Sequence, residues 1–260
     1  MTPQRKLVVV VQARRASTRL PGKTLRTFAG ATVLAHVLNR CKAIKQADLV
    51  CCAVPDEPSS DVVAEEAIGA GVDVVRGPEQ DVLARYMEAA QATGADIILR
   101  VTSDCPLIDP VLCGRVIDLL LRENADHVCN NAPPSWPHGL DCAAFTRRAL
   151  ALACAEAREP HEREHVTPWI RLNPSFRRLN LRNGTRDQAQ IRWTVDYAED
   201  LAFFQALEGF IRPFPSIESR EMLLALMTEH PELRAINAMH EVAERGDDEG
   251  HEQVDAGQMG

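Results

Sequence analysis

Apolar positions in the first part of the chain follow two recurring patterns, continuous runs and helically spaced sets. The run KLVVVVQ at residues 6–12 has no polar alternation, which is typical of a strand buried on both faces. Residues 31–42 carry apolar side chains three and four positions apart, which predicts a helix. DLVCCAV at 48–54 predicts a second buried strand. Together these segments predict a strand, a crossover helix and a parallel strand.

The same alternation continues to about residue 130. Helical spacing recurs from Ser60, at 81–92 and at 110–122, with the short apolar runs VDVV, ADIILRV and ADHVCN interspersed. Strands and helices that take turns in this way predict an α/β fold. We expect a Rossmann-like, mainly parallel sheet with helices on both faces.

The regular pattern ends at NNAPPSWPHGLD, residues 130–141, where three prolines exclude a simple helix or strand. Later patterns predict helices near 146–158, 198–209 and 219–227, and strands at SFRRLNLR and QIRWTV. We expect residues 132–243 to complete the same domain and to lie over the sheet as a substrate or dimer module. Residues 244–260 are acidic and glycine-rich and lack large aliphatic side chains, which predicts a disordered tail.

Composition narrows the partners and the compartment. With 29 basic and 37 acidic residues the net charge is −8, so the chain has no general attraction for nucleic acid or an anionic membrane. The apolar run near the start is too short for a signal peptide, and no stretch is long enough to span a bilayer. The eight cysteines form no C-x-x-C pair, which favours reduced thiols and a cytoplasmic protein.

A basic loop, QARRASTRLPGKT at residues 12–24, follows the first predicted strand directly. It holds four cations within ten residues, at the sheet edge where open α/β sheets bind ligands. Arginine forks, loop amides and a lysine together suit a triphosphate. The alternatives are a solvated basic turn and a P-loop; against the P-loop, Ser17 replaces the required first glycine and Pro21 removes an amide. We therefore expect residues 1–131 to form a nucleotide-binding part.

Two aspartates follow predicted strands elsewhere in the chain. Asp104, in RVTSDCPLIDP, follows an apolar run, and its carboxylate is expected to face the same crevice as the basic loop. Carboxylates together with substrate phosphate oxygens are typical Mg²⁺ ligands. Asp196, in RWTVDYAEDL, is either a helix cap or the second carboxylate of that metal site. Asp109 before Pro110 is expected to cap a helix.

Two further motifs leave alternatives open. In RGPEQDVLARYMEA, Asp81 can cap a helix, and Arg76 and Arg85 either reach the nucleotide pocket or lie on the surface. In PHEREHVTPW, residues 160–169, the pattern H-E-x-x-H is that of a zinc hydrolase. Pro160 and Pro168 leave only a short helix between them, and no third ligand is evident, so zinc is disfavoured.

Six ordered motifs give the chain a family resemblance over Leu7 to Leu207: QARRASTRLPGKTL, RGPEQDVLARY, RVTSDCPLIDP, HGLD, EHVTPWI and RWTVDYAEDL. The sequence resembles the cytidylyltransferases related to spore coat polysaccharide biosynthesis protein F, relatives of the CMP-sialic acid and CMP-Kdo synthetases. The resemblance implies a nucleotide-diphospho-sugar transferase fold and a homodimer. It also implies Mg²⁺-dependent transfer of CMP from CTP to an acidic sugar, a nonulosonic or Kdo-like acid, with release of pyrophosphate.

The resemblance also implies roles for individual residues. Lys23, Arg14 and Asp104 would be catalytic, and Asp104 and Asp196 would hold the metal. The residues expected to bind the nucleotide are Gln12, Ala13, Arg14, Arg19, Gly22, Lys23, Arg76, Asp81, Arg85, Thr102 and Asp104. Those expected to bind the acceptor are Asn130, His138, Asp141, Glu164 and His165.

The chain departs from the family pattern in the acceptor region, where Ala143 replaces an acidic residue and His138 stands in place of an aspartate. These departures leave two alternatives open, a small non-sugar anion such as a phosphonate as acceptor, and a non-catalytic nucleotide-sugar binding protein. The general base is also open, between a metal-activated hydroxyl and a carboxylate such as that of Asp141.

Overall fold

The computed structural model describes residues 5–184, 187–240 and 251–258. Their main feature is one eight-stranded sheet in the order β10-β9-β7-β8-β6-β1-β4-β5. Its strands are β1 Leu7–Gln12, β4 Leu49–Pro55, β5 Asp73–Gly77, β6 Ile97–Thr102, β7 His127–Cys129, β8 Ala143–Thr146, β9 Arg178–Arg182 and β10 Glu252–Asp255. Among the described strands of this sheet, only β8 runs antiparallel to its neighbours. The predicted α/β fold with a mainly parallel sheet is confirmed.

A small hairpin and α-helices accompany this sheet in the described residues. The hairpin consists of β2 Thr27–Phe28 and β3 Ala31–Thr32. The helices are α1 Val33–Lys42, α2 Asp61–Gly69, α3 Val82–Thr93, α4 Pro110–Arg122, α5 Arg147–Glu156, α6 Pro160–His165, α7 Pro168–Leu172, α8 Ala198–Leu207, α9 Arg220–Glu229 and α10 Pro231–Ala235. None of the helices described here is long and apolar enough to cross a bilayer.

Strand β1 lies inside the sheet because its side chains are apolar on both faces. Val9 and Val11 pack with α1, α2 and α4, whereas Val8 and Val10 pack with α3 and α5. Strands β4 and β6 pair with β1 in parallel on either side. The carboxyl ends of these three strands therefore meet at one edge of the sheet, as expected for an open α/β sheet that binds a ligand there.

Two helix starts follow the predicted capping chemistry. The Asp81 carboxylate accepts from the Ala84 amide at 2.9 Å at the start of α3. The Asp109 carboxylate accepts from the Val111 amide at 2.8 Å, with Pro110 in the first turn of α4. Asp196 is not the cap of α8, since Tyr197 holds that position.

The predicted strand QIRWTV is wrong as a regular strand. This segment forms one isolated bridge, between His138 and Arg192. Its next backbone bond goes to a different partner, from the Val195 amide to the Asp104 carbonyl at 2.8 Å. The segment is extended but crosses between two loops instead of following one neighbouring strand, because the proline-rich loop 130–141 presents too little backbone for a ladder.

The predicted disordered tail is wrong for residues 251–258, and its other residues, 244–250 and 259–260, lie outside the described residues. Residues Glu252–Asp255 form β10, which pairs in parallel with β9. An outer strand presents unpaired backbone amides and carbonyls. A short polar segment can satisfy them without a large apolar surface, and composition alone does not reveal this pairing.

Gly139 has a positive φ and lies against the extended segment at residues 191–195. Its φ is +106°, and a Cβ at this position would lie 2.2 Å from the Trp193 carbonyl oxygen. We expect Gly139→Ala to lower the free energy of unfolding by roughly 2 kcal/mol or more, because both strain and overlap oppose the methyl group. Chemical denaturation tests this. Gly209→Ala, where the nearest atom is 3.8 Å away, is the matched control, and equal stabilities of the two variants would contradict the argument.

Candidate active site

A cavity of about 330 Å³ opens at the carboxyl edge of the sheet, between the loop after β1 and the end of β6. The predicted site residues that line it are Gln12, Ala13, Arg14, Arg19, Lys23, Arg85, Thr102, Asp104, Glu164, His165 and Asp196. The structure therefore brings together residues from five separate motifs of the sequence. The cavity is the place at which the predicted triphosphate and metal ligands meet.

The centre of the cavity is an ammonium group between two carboxylates. Lys23 Nζ lies 2.7 Å from Asp104 Oδ2 and 2.7 Å from Asp196 Oδ1. All three side chains are at most 24% exposed. The group carries two negative charges and one positive charge, so its carboxylates can accommodate a cation of higher charge.

The charges of Asp104 and Lys23 are determined by the groups around them. Burial by itself would raise the pKa of Asp104, but the Lys23 ammonium holds it well below its ordinary value. Burial would lower the pKa of Lys23, but the two carboxylates outweigh it and raise that pKa. Asp104 and Lys23 are therefore both charged throughout the neutral pH range.

Local backbone structure explains how Lys23 and Asp104 meet. Gly22 has φ +66°, a left-handed conformation that suits glycine, and it turns the chain into the short 3₁₀ helix at Lys23–Leu25. On the other side, the Ser103 amide donates to the Gln12 carbonyl at 3.1 Å, which ties the Asp104 loop to the end of β1.

The extended segment 191–195 brings Asp196 to the same place. The Thr194 hydroxyl and the Val195 amide both donate to the Asp104 carbonyl, at 3.1 and 2.8 Å. The residue that follows, Asp196, is thereby held beside Asp104. The two carboxylates are adjacent although they lie 92 positions apart in the sequence.

A buried ion pair between Arg192 and Asp200 holds the backbone of Asp196 in place. Asp200, which is fully buried, accepts from Arg192 Nε at 2.7 Å and Arg192 Nη2 at 2.8 Å. It also accepts from the backbone amide of Asp196 at 2.8 Å. Burial would raise the pKa of Asp200, but these donors hold it below its ordinary value.

We expect Asp200→Asn to lower the free energy of unfolding by roughly 3 kcal/mol at pH 7, because the buried Arg192 charge keeps only the more distant Asp196 carboxylate, 3.5 Å from its Nη2. The depressed pKa of Asp200 means that its stabilisation is present above the unfolded value, near 3.8, and is lost as the pH falls through the folded value. The stability gap to the wild type should therefore narrow below about pH 3.8.

Denaturation midpoints measured across this pH range test the prediction. The matched control is Asp61→Asn, which breaks an exposed pair with Arg76 and should cost at most about 1 kcal/mol. A gap that is independent of pH would contradict the role of the Asp200 carboxylate.

Cationic side chains surround the two aspartates. Arg19 Nη2 lies 3.0 Å from Asp196 Oδ1, and the guanidinium of Arg19 stacks over the Tyr197 ring at 4.9 Å. Arg14 and Arg85 line the same cavity. Arg85 is buried, and its Nε has no hydrogen-bond partner among the described residues. Buried unsatisfied donors of this kind suit an anionic ligand.

The opposite wall comes from α6, the segment that contains HEREH. Glu159 and Glu162 form a capping box that starts this short helix. Glu164 and His165 line the cavity, and Glu164 Oε1 lies 4.0 Å from Arg14 Nη2. Burial lowers the pKa of His165, so its imidazole is neutral at pH 7. In the described residues, the HEREH side chains belong to no cluster of three metal-ligating groups.

Several predicted nucleotide-binding residues do not line the cavity. Gly22 shapes the loop beneath Lys23. Arg76 forms an ion pair with Asp61 at 2.6 Å, away from the cavity. Asp81 caps α3 and forms an ion pair with Arg163, so it acts beside the cavity rather than in its lining.

The predicted acceptor residues of the proline-rich loop also lie outside the lining. Asn130 is buried and donates to the Leu140 carbonyl at 2.7 Å while it accepts from the Cys142 amide, so it organises the loop. His138 lies 3.8 Å from Asp141 and 3.4 Å from Arg192, which connects the loop to the ion pair behind Asp196.

Among the charged side chains that line the cavity, Arg100 is the one that was not predicted. Arg100 lines the cavity from within β6. The signal was present, because Arg100 is the one charged side chain inside the apolar run IILRV. A single charged side chain inside a buried apolar strand usually binds a ligand or forms an ion pair.

Comparison with known proteins identifies the family to which the chain belongs. The cytidylyltransferase family model matches residues 8–226. The chain is 30% identical over 235 residues to spore coat polysaccharide biosynthesis protein SpsF of Bacillus subtilis. The matched region spans 87% of this chain and 95% of that protein. It is 28% identical over 248 residues to a 3-deoxy-manno-octulosonate cytidylyltransferase of an Acidovorax species, covering 90% and 87% of the two chains.

A solved structure is also similar. The structure of a cytidylyltransferase from Leptospira borgpetersenii matches with a TM-score of 0.84 at 30% identity, over 89% of this chain and 97% of that one. Fold and site together define an α/β nucleotidyltransferase. The chain belongs to the cytidylyltransferase family and is an enzyme of that class, as the sequence motifs predicted.

Proposed function

We propose that this enzyme transfers CMP from CTP to an acidic sugar, a nonulosonic or Kdo-like acid, with Mg²⁺ and with release of pyrophosphate. One observation carries the proposal, the Lys23 ammonium held 2.7 Å from both Asp104 and Asp196 in a cavity rimmed by arginines. The similarity to a 3-deoxy-manno-octulosonate cytidylyltransferase supports the choice of an acidic sugar.

Asp104 and Asp196 would hold the metal. Their carboxylates already surround one cationic position, and oxygen ligands of this kind, with substrate phosphate oxygens, are those that Mg²⁺ prefers. When bound, the ion supplies positive charge next to the reacting phosphate. With the ion held there, the Lys23 ammonium would be available to pair with the phosphates of the nucleotide.

The basic loop would hold the triphosphate. Arg14, Arg19, Lys23, Arg85 and Arg100 all line the cavity. These charges neutralise the triphosphate and the departing pyrophosphate, and they orient the α-phosphorus for in-line attack. The chain's contribution to catalysis is therefore positioning and electrostatic stabilisation.

The acceptor would lie against the wall formed by Glu164 and His165. Glu164 and the neutral His165 imidazole can accept hydrogen bonds from sugar hydroxyls, and Arg14 or Arg100 can pair with the acceptor's carboxylate. We place His138 and Asp141 behind the site, where they position Arg192 and the proline-rich loop.

We further propose that the enzyme is a cytoplasmic homodimer. In this proposal residues 1–131 bind the nucleotide, and residues 132–243 bind the acceptor and form the dimer. The resemblance to the family supports the dimer. All eight cysteines are free thiols, which supports a reducing compartment. Light scattering after gel filtration measures the mass directly, and a monomer at micromolar concentration would contradict the dimer.

A pyrophosphate-release screen tests the proposed reaction. CTP, UTP, GTP and ATP are each incubated with Mg²⁺ and with a panel of nonulosonic acids, Kdo and small phosphonates. We expect release only with CTP and an acidic sugar. Pyrophosphate release only with a phosphonate would show that the acceptor is a small non-sugar anion instead of an acidic sugar. No release with any acceptor would favour a non-catalytic nucleotide-sugar binding protein.

A further inference from the structure

A second cluster of metal-ligating side chains lies on the sheet, separate from the two aspartates. His127 and Cys129 lie on strand β7 and His251 directly precedes β10, and all three are at least 93% buried. One ring nitrogen of each histidine and the Sγ of Cys129 lie within 4.8 Å of one another. Because His127 and Cys129 are two positions apart on a strand, their side chains share one face of the sheet.

The spacing of these atoms fits a tetrahedral ion. His127 Nδ1 lies 3.2 Å from His251 Nε2. Two nitrogens that each lie about 2.0 Å from a tetrahedral Zn²⁺ are about 3.3 Å apart. The same separation also fits a hydrogen bond between two imidazoles, so distance alone does not decide between them.

The chemistry of the donors selects the type of ion. Two imidazoles and a thiol are ligands for Zn²⁺, Co²⁺ and similar borderline ions, whereas Mg²⁺ requires oxygen ligands. We propose that His127, Cys129 and His251 bind one such transition-metal ion, with a fourth position left to solvent or another ligand. This site is distinct from the proposed Mg²⁺ site at Asp104 and Asp196.

The charged and polar groups around the cluster affect how strongly it would bind such an ion. The positive charges of Arg100, Arg171 and Arg178 act on His127 and oppose a second cation. A Cys129 thiolate would offset one of the ion's two charges, at the cost of the hydrogen bond that the Cys129 thiol donates to Asn180 Oδ1 at 3.4 Å. We therefore expect weaker binding than in four-ligand structural zinc sites.

The position of the cluster suggests what the ion does. His251 directly precedes β10, the strand at the edge of the sheet, whereas His127 and Cys129 lie on β7, with β9 in between. A metal ion shared by these residues would fasten the C-terminal strand across its neighbour. Binding should therefore raise the melting temperature of the protein.

Cobalt titration tests the proposal with the full chain. After removal of metals, Co²⁺ is added in the presence of excess Mg²⁺, which occupies the carboxylate site. We expect about one Co²⁺ per chain, with tetrahedral visible bands and a thiolate-to-cobalt charge-transfer band in the near ultraviolet. Absence of the charge-transfer band in the wild type would overturn the proposal.

Variants assign the band to the cluster. Cys129→Ser should abolish it, and His127→Gln and His251→Gln should each weaken Co²⁺ binding more than about 100-fold, since even outer partners of metal ligands cost 10–100-fold. Cys154→Ser, which removes a half-buried thiol elsewhere, and Asp104→Asn should both keep it. Persistence of the band in Cys129→Ser, or its loss in either control, would overturn the proposal, and circular dichroism confirms that each variant is folded.

Discussion

Asp104→Asn is expected to lower the rate of pyrophosphate release by about 10²–10³-fold or more while leaving the fold intact. The substitution keeps the shape of the side chain but removes half of the negative charge that Asp104 and Asp196 present to a cation. Initial rates at saturating CTP measure the effect, and circular dichroism confirms folding. Asp118→Asn, on the solvent face of α4, is the matched control and should retain full activity.

An active Asp104→Asn variant would remove Asp104 from the metal site. A second result would be equally informative. If the rate fell but the dependence on Mg²⁺ concentration stayed unchanged, the Asp104 carboxylate would act on the substrate instead of the ion.

Lys23→Met is expected to have two opposite effects. The rate of transfer should fall by about 10²–10³-fold, because a cation that balances the triphosphate is lost. Mg²⁺ binding without nucleotide should become tighter, by about tenfold or more, because the ammonium no longer competes for the two carboxylates. Isothermal titration with Mg²⁺ measures the second effect, and rates at saturating CTP measure the first.

The control for this variant is Lys45→Met, which removes an exposed lysine outside the cavity. It should change neither the rate nor Mg²⁺ binding. Unchanged Mg²⁺ affinity in Lys23→Met would show that the ammonium does not occupy the position of the metal, and would contradict the proposed exchange.

The sequence predicted the parts of this molecule whose chemistry is local. The apolar run at 6–12 identified β1, and the caps at Asp81 and Asp109 follow from short-range hydrogen bonds. The place of Asp104 at the sheet edge followed from the α/β topology, since the carboxyl ends of parallel strands meet there.

The parts that were missed depend on long-range pairing. The contact of Lys23 with both aspartates joins three motifs, and no periodicity reports such a distance. The pairing of Arg192 with the buried Asp200 requires the fold before either charge can be recognised as buried. Strand β10 has a composition typical of disorder, and only the open edge of β9 explains it.

Labelled CTP gives the most direct measurement of the central claim, that the phosphate next to the ribose is transferred at the site of Asp104 and Asp196. Enzyme, Mg²⁺ and the acidic sugar found active in the screen are incubated with CTP labelled at the α-phosphorus, or in a parallel sample at the γ-phosphorus. We predict that the α label appears in a CMP–sugar conjugate, that the γ label appears only in pyrophosphate, and that Asp104→Asn suppresses both. Transfer of the γ label to the acceptor, or retention of the α label in free nucleotide, would contradict the account.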